Sequence, residues 1–221
     1  MVQNVIFDAD GVLLLSIKVG INTMLEAIKI CDLNSPTYNE VLQVWGGNLE
    51  SELLPLLASR YNWPAGSVQK VVNLFLALSE STVYPQQPKL LKTLEYLSRR
   101  YNLGIASNRD AHSLDWRLRQ HGIKKSLFKH IQTSDDGINK PDPRVFDKFW
   151  NGHVGFNPRQ TLYVGDSIKH DLVVARMHNP PLAFIAITSG LHSTGEFVRA
   201  GVKVTHIFKS VIELPDMMHT F

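Results

Sequence analysis

An apolar stretch that runs directly into two closely spaced aspartates constrains this chain more than any other feature. Residues 5–7 are apolar, Asp8 follows them, and Asp10 comes two positions later, before the turn residue Gly11. The pattern predicts a buried strand over residues 2–8, and ligands of open α/β sheets bind at the carboxyl ends of the strands. Two carboxylates this close favour one ionised nucleophile or metal ligand and one proton donor.

Composition narrows the class of protein. The chain has 221 residues, of which 44% are hydrophobic and 19% charged, values typical of a soluble globular protein. Its net charge of +3 includes no long basic block, so we expect no nucleic-acid partner. Cys31 is the single cysteine, which excludes an internal disulfide and favours the cytoplasm. No signal peptide and no bilayer-spanning apolar run is evident, so we expect no membrane partner.

Helical periodicity fills one interval, and strands alternate with helices after it. We expect a helical insertion at 15–85 and an α/β core at 1–14 and 86–221. Further strands are predicted at 103–107, 128–133, 161–165, 183–188 and 203–207. Helices are predicted at 17–31, 89–100, 111–121, 143–150 and 168–177. This alternation predicts a Rossmann-like, doubly wound parallel sheet covered by helices.

Polar groups also follow the second strand and precede a later helix. Ser107 and Asn108 stand where an apolar strand stops, so they could bind a phosphate oxygen or simply cap a helix. Lys140 precedes Pro141; it could neutralise phosphate charge, although most lone lysines are merely solvated.

A further apolar strand runs into an acidic loop. Asp166 follows it, and Asp171 comes five residues later. Asp166 could bind a hard divalent cation such as Mg²⁺, and Asp171 could hold the lysine or a water. Both could instead cap the following helix. His170, between them, is expected to face solvent.

Each motif has an ordinary explanation, but their order resembles the haloacid dehalogenase superfamily. Its four motifs match Asp8-Ala9-Asp10-Gly11-Val12, Ser107-Asn108, Lys140-Pro141, and Gly165-Asp166-Ser167 with Asp171. The resemblance covers about residues 2–214. The helical insertion resembles the cap subdomain of the phosphoglycolate phosphatase and β-phosphoglucomutase branches.

The resemblance implies a catalytic set. Asp8 would attack phosphorus and form an aspartyl-phosphate, and Asp10 would protonate the leaving oxygen and then activate water. Lys140 would offset the negative charge of Asp8 and the phosphate. Mg²⁺ would be held by Asp8, the Asp10 backbone carbonyl and Asp166, while Asp171 would support the ion without touching it.

The resemblance also implies a substrate site. Ser107, the backbone near Asn108 and Gly11 would bind the phosphoryl oxygens. In the insertion, Trp45, Gly46 and Gly47 are candidate contacts to the leaving group; a plain interhelical turn with Trp45 packed inside the insertion is the alternative. Residues 45–48 include no Arg or Lys, which disfavours a doubly anionic leaving group.

The expected function is a Mg²⁺-dependent phosphatase acting on a small phosphorylated metabolite, as a monomer or homodimer. A phosphomutase acting on a sugar phosphate and a catalytically idle binding protein of the same fold remain alternatives. Asp10 argues against dehalogenation, because dehalogenases of the superfamily lack the second aspartate of this motif.

Overall fold

The chain separates into two compact units. The computed structural model describes residues 1–46 and 49–218. One unit, the core unit, comprises Met1–Leu15 with Pro85–Phe221, and the other, the helical unit, is Ser16–Tyr84. The sequence placed the joins after residues 14 and 85. That the helical unit acts as a cap stays a prediction.

The core unit is built on a parallel sheet. Within the described residues, six strands lie in the order β3-β2-β1-β4-β5-β6, and every neighbouring pair is parallel. The strands are β1 (Asn4–Phe7), β2 (Asn102–Ala106), β3 (Phe128–Gln132), β4 (Thr161–Gly165), β5 (Ala183–Ile187) and β6 (Ile207–Phe208). The chain order reverses between β1 and β4, which is the switch point of a Rossmann-like α/β fold. The predicted fold class is confirmed.

The helical unit is formed by four α-helices among its described residues: α1 (Ile17–Ile30), α2 (Tyr38–Val44), α3 (Leu54–Arg60) and α4 (Ser67–Ser81). A π-helical turn, Leu49–Leu53, precedes α3. Helix α1 is amphipathic and buries Ile21, Met24 and Ile28 on one face, as an apolar spacing of three to four residues requires.

Helices flank the sheet of the core unit. They are α5 (Leu90–Ser98), α6 (Ala111–Gln120), α7 (Asp147–Trp150), α8 (Val173–Met177), α9 (Thr194–Arg199) and α10 (Leu214–Met217). The central strands are fully buried, and Phe146, Phe149 and Phe197 pack in the core cluster with them. Among the described residues, no helix has the length and apolar composition needed to cross a membrane.

Three sequence predictions need correction. The predicted helix at 143–150 begins as a 3-10 turn, Pro143–Phe146, before α7. The predicted strand at 203–207 is wrong, because Val204–His206 is a 3-10 turn and the strand is Ile207–Phe208. Val204 is 66% exposed, so its apolar side chain has no buried face to join. The predicted helix at 168–177 begins as a π-helical turn, Ile168–Leu172, before α8.

Candidate active site

The site lies where three neighbouring strands end. Asp8 follows β1, Ser107 follows β2 and Asp166 follows β4, and β2, β1 and β4 are adjacent in the sheet. Parallel strands bring their carboxyl ends to one edge, so residues far apart in sequence meet there. One oxygen each from Asp8, Asp166 and Asp171 lies within 4.8 Å of the others.

Lys140 binds two of these carboxylates. Its Nζ lies 2.8 Å from Asp8 Oδ1 and 2.7 Å from Asp171 Oδ1, and it donates to the Tyr163 hydroxyl at 3.0 Å. Burial opposes the charged form of this lysine, but Asp171 and Asp8 outweigh burial and raise the pKa of Lys140. The lysine is therefore a fixed positive charge between two acids.

Asp171 holds the lysine and the loop together. Its Oδ1 accepts a hydrogen bond from the Tyr163 hydroxyl at 2.5 Å, and its Oδ2 accepts from the backbone N–H groups of Asp166 and Ser167, both at 3.0 Å. Burial disfavours its ionised form, but Lys140 and these donors lower the pKa of Asp171 overall. Both oxygens are thus used in organising the site.

At Asp8, unlike Asp171, the effect of burial on the pKa outweighs the attraction of Lys140. Asp8 is 7% exposed, and its Oδ1 accepts from the Ala9 N–H at 2.7 Å. Burial raises the pKa of Asp8 to about 7, with Lys140 lowering it and Asp171 raising it. An additional positive charge close by would favour the ionised nucleophile at neutral pH.

Two glycines, Gly11 and Gly190, lie against the Asp166 carboxylate. Its Oδ2 accepts from Leu191 N–H at 2.8 Å. A Cβ at Gly11 would lie 2.1 Å from this oxygen, and one at Gly190 only 1.8 Å from it. Burial, followed by the charge of Asp171, raises the pKa of Asp166 well above its usual value. Crowded, desolvated carboxylates with hard oxygen donors fit a small divalent cation.

The Asn108 side chain positions Lys140 through the lysine backbone. Asn108 Oδ1 accepts from Lys140 N–H at 2.7 Å, and Asn108 Nδ2 donates to the Lys140 carbonyl at 3.0 Å. His170 Nδ1 lies 3.2 Å from the same carbonyl. His170 is only 7% exposed, so the expectation that it faces solvent is wrong: the π-helical turn directs it inward.

Asp10 lies beside Arg109. Arg109 Nε donates to Asp10 Oδ2 at 3.0 Å, and Arg109 Nη2 donates to Asp10 Oδ1 at 2.6 Å. The Ser107 hydroxyl oxygen accepts from Arg109 N–H at 3.1 Å. The structure thus gives Asp10 a cationic partner that the motif analysis did not include, and the backbone of the same residue contacts Ser107.

Comparison with known proteins decides the family. The family model for haloacid dehalogenase-like hydrolases matches residues 5–185, most of the chain. The chain belongs to this family. It is 26% identical over 201 residues to the phosphoglycolate phosphatase of Haemophilus influenzae (strain 86-028NP), a match that covers 83% of this chain and 84% of that protein.

Solved structures share the fold of this haloacid dehalogenase-like hydrolase. A structure described as a predicted phosphoglycolate phosphatase from Haemophilus somnus 129pt has a TM-score of 0.78 at 20% identity, covering 98% of both chains. A hydrolase from Pseudomonas syringae has a TM-score of 0.75 at 22% identity, covering 100% of this chain and 99% of that one. The chain is therefore a hydrolase with the α/β fold of its family.

The remaining candidate contacts to the leaving group, Trp45, Gly46 and Gly47, belong to the helical unit of this hydrolase. Trp45 packs inside that unit, with its ring edge-on to Phe75 at 6.3 Å between centroids and close against Gly20. These contacts favour the packing interpretation of Trp45. Gly46 has a positive φ of 98°, and Gly47 lies outside the described residues. A role of these residues in substrate binding stays a prediction.

Sequence reasoning missed two residues of the site. Arg109 directly follows the Ser107-Asn108 motif, and Tyr163 lies in a strand whose other residues are apolar or small. An arginine next to a phosphate-binding motif and a hydroxyl inside a buried strand were the available signals. The pairing of Arg109 with Asp10 and that of Tyr163 with Asp171 became evident only in the folded chain.

Proposed function

We propose that this chain is a Mg²⁺-dependent phosphatase that hydrolyses the phosphate monoester of a small metabolite through an aspartyl-phosphate on Asp8. The observation that carries the proposal is the buried contact of Asp8 with Lys140, beside Asp166 and Asp171. A nucleophilic carboxylate needs such a cationic partner to approach an anionic phosphate.

The reaction has two displacements. An Asp8 carboxylate oxygen attacks phosphorus, the ester P–O bond breaks, and Asp10 donates its proton to the leaving oxygen. Asp10 then takes a proton from water while the water oxygen attacks phosphorus and the bond between Asp8 and phosphorus breaks. Inorganic phosphate leaves, and both aspartates return to their starting states. Positioning and charge stabilisation supply most of the acceleration in such transfers.

Charge balance supports a cation at this site. Three buried carboxylates lie beside one lysine, Lys140. Burial above all, and then the charge of neighbouring acids such as Asp171, raises the pKa values of Asp8 and Asp166. Asp8 and Asp166 would hold Mg²⁺, together with the Asp10 carbonyl that the family resemblance implies. Bound Mg²⁺ would offset charge on the nucleophile and the phosphoryl group. Asp171 would stay with Lys140, because its oxygens already accept hydrogen bonds.

The phosphoryl oxygens would be bound by the Ser107 hydroxyl and the backbone near Asn108. Asn108 contributes indirectly, since its side chain fixes the Lys140 peptide. Gly11 keeps the approach to Asp166 clear, because any side chain there would collide with the Asp166 carboxylate. We propose that the phosphate binds among these positions.

Phosphoglycolate is the first candidate substrate, because the curated relatives are named phosphoglycolate phosphatases. At 26% identity the leaving group can differ, and residues 45–48 supply no positive charge for its carboxylate. We therefore propose the broader class of small phosphorylated metabolites, with phosphoglycolate among them.

Release of inorganic phosphate from a panel of esters tests this proposal. We expect turnover of at least one small metabolite with Mg²⁺, loss of that turnover in excess chelator, and recovery when Mg²⁺ is restored. Turnover unaffected by the chelator would contradict the role of the cation. Conversion of sugar phosphates to isomers without phosphate release would instead support the phosphomutase alternative.

A further inference from the structure

We propose that Arg109 is the positioning residue for Asp10: it clamps the Asp10 carboxylate so that the acid–base group faces the leaving oxygen. This inference rests on the proposed function, because it concerns the proton-transfer step of that reaction. It assigns a role to a residue that the motif resemblance leaves without one.

The contact between the two side chains is bidentate. Nε and Nη2 of Arg109 each donate to a different oxygen of Asp10, at 3.0 and 2.6 Å. This fork-to-fork arrangement fixes both the position and the plane of a carboxylate. A lysine at the same place would act as a point charge and leave the carboxylate free to rotate.

Arg109 is itself fixed at several points. Its Nη1 donates to the Ser113 hydroxyl at 2.8 Å, and its backbone carbonyl accepts from Ser134 N–H at 3.1 Å. Ser113 is held in turn, because its N–H donates to the Asp110 carboxylate that caps α6. The Arg109 guanidinium thus links Asp10 to the start of α6.

The exposure of the Arg109–Asp10 pair indicates that the pair orients Asp10 rather than stabilising the fold. The side chains of Arg109 and Asp10 are 21% and 28% exposed, and ion pairs that water reaches contribute little to folding. The Asp10 carboxylate also lies outside the acidic group of Asp8, Asp166 and Asp171. General acid–base catalysis depends steeply on the geometry of the acid–base group, and the bidentate pair with Arg109 would fix that geometry for Asp10.

A double-mutant cycle tests the proposal. Arg109→Met is made in the wild-type chain and in Asp10→Asn, and Mg²⁺-dependent turnover is measured on phenyl phosphate and p-nitrophenyl phosphate. These esters are similar in size, but phenol leaves poorly without a proton and nitrophenol leaves readily. Arg119→Met is the matched control, since Arg119 pairs with Asp115 on the exposed side of α6.

We expect Arg109→Met to lower kcat on phenyl phosphate by on the order of 10²-fold with little change in KM. The loss on p-nitrophenyl phosphate should be smaller. In the Asp10→Asn background the same substitution should change kcat by less than about 3-fold, because the group it positions is already lost. Arg109→Lys should recover part of the loss, and Arg119→Met should behave as wild type.

Three outcomes would overturn the proposal: equal losses in both backgrounds, equal losses on both esters, or a raised KM with unchanged kcat, which would make Arg109 a substrate-binding residue. If Arg109→Met fails to fold, Arg109→Lys and Ser113→Ala decide by the same criteria. A wild-type chain that turns over no phosphate ester contradicts the proposed function and this inference together. Turnover with the wrong coupling contradicts this inference alone.

Discussion

Asp8 is the residue at which the demands of folding and of chemistry oppose each other most clearly. Burial raises its pKa from 3.8 to about 7, so the folded, metal-free chain binds a proton more tightly than the unfolded chain between these pH values. Raising the pH through this window therefore destabilises the folded state. The carboxylate is retained at a cost to stability, as is common for groups that perform chemistry.

The substitution Asp8→Asn tests this balance. In chelator at pH 8, we expect the variant to exceed wild type in free energy of unfolding by on the order of 4 kcal/mol, because it removes a buried charge while Lys140 keeps Asp171. The difference should disappear as the pH falls below about 4, where Asp8 is protonated in both states. Denaturant unfolding followed across this pH range measures it.

Asp142 provides a control of opposite sign. A hydrogen bond from the Arg144 side chain lowers the pKa of Asp142, so its ionised form stabilises the folded chain above the unfolded pKa and loses that effect as the pH falls. Asp142→Asn should be less stable than wild type at neutral pH, by less than about 1 kcal/mol because water screens the pair, and should converge with it in acid. A variant Asp8→Asn that is less stable than wild type at pH 8 would contradict the account of Asp8.

Some residues of the site could be predicted from the sequence, and others could not. Asp8, Lys140 and Asp166 stand out in sequence because each follows or precedes a recognisable local pattern. Arg109 acts through a residue 99 positions earlier, and Tyr163 acts from inside a strand whose apolar pattern it shares. Such pairings depend on strand order and side-chain direction, which no local pattern specifies.

At the scale of elements, the strand ends were more predictable than the turns that follow them. The strand at 161–165 agrees with Thr161–Gly165, because a fully buried parallel strand is a continuous apolar run. The π-helical turn Ile168–Leu172 was not predictable from periodicity. This turn places the Asp171 carboxylate where it accepts hydrogen bonds from the backbone N–H groups of Asp166 and Ser167.

The packing of α1 in the helical unit gives a prediction at this scale. A Cβ at Gly20 would lie 2.8 Å from Trp45 Cζ2. Replacing a helical glycine by alanine gains up to about 1 kcal/mol, but overpacking costs about 1–3 kcal/mol. We therefore expect Gly20→Ala to lower the free energy of unfolding, by up to about 2 kcal/mol.

Gly195 in α9 is the matched control. The nearest atom to a Cβ there is Arg199 Nη1, at an ordinary 3.5 Å, so Gly195→Ala should stabilise by up to about 1 kcal/mol. Thermal unfolding of both variants beside wild type measures the contrast. A stabilised Gly20→Ala variant would show that Trp45 does not pack tightly on α1.

At the scale of the whole molecule, the order of the strands in the sheet brings the site residues together. The order β3-β2-β1-β4-β5-β6 makes β1 the neighbour of both β2 and β4. The motifs after those strands therefore converge, although about 160 residues of chain separate Asp8 from Asp166. The alternation of strands and helices predicted this class of fold, and the family motifs predicted which edge carries the site. Selection of the leaving group is the function we assign to the helical unit, as a prediction.

The central claim is that Asp8 becomes phosphorylated during turnover. The most direct measurement is acid quenching of the chain with a radiolabelled phosphate ester and Mg²⁺, followed by peptide mapping. The account predicts label on the peptide that contains Asp8, rapid loss of that label when unlabelled ester replaces the labelled one, and no label or turnover in Asp8→Asn. Wild-type turnover by a folded Asp8→Asn variant, or label on another residue, would contradict it.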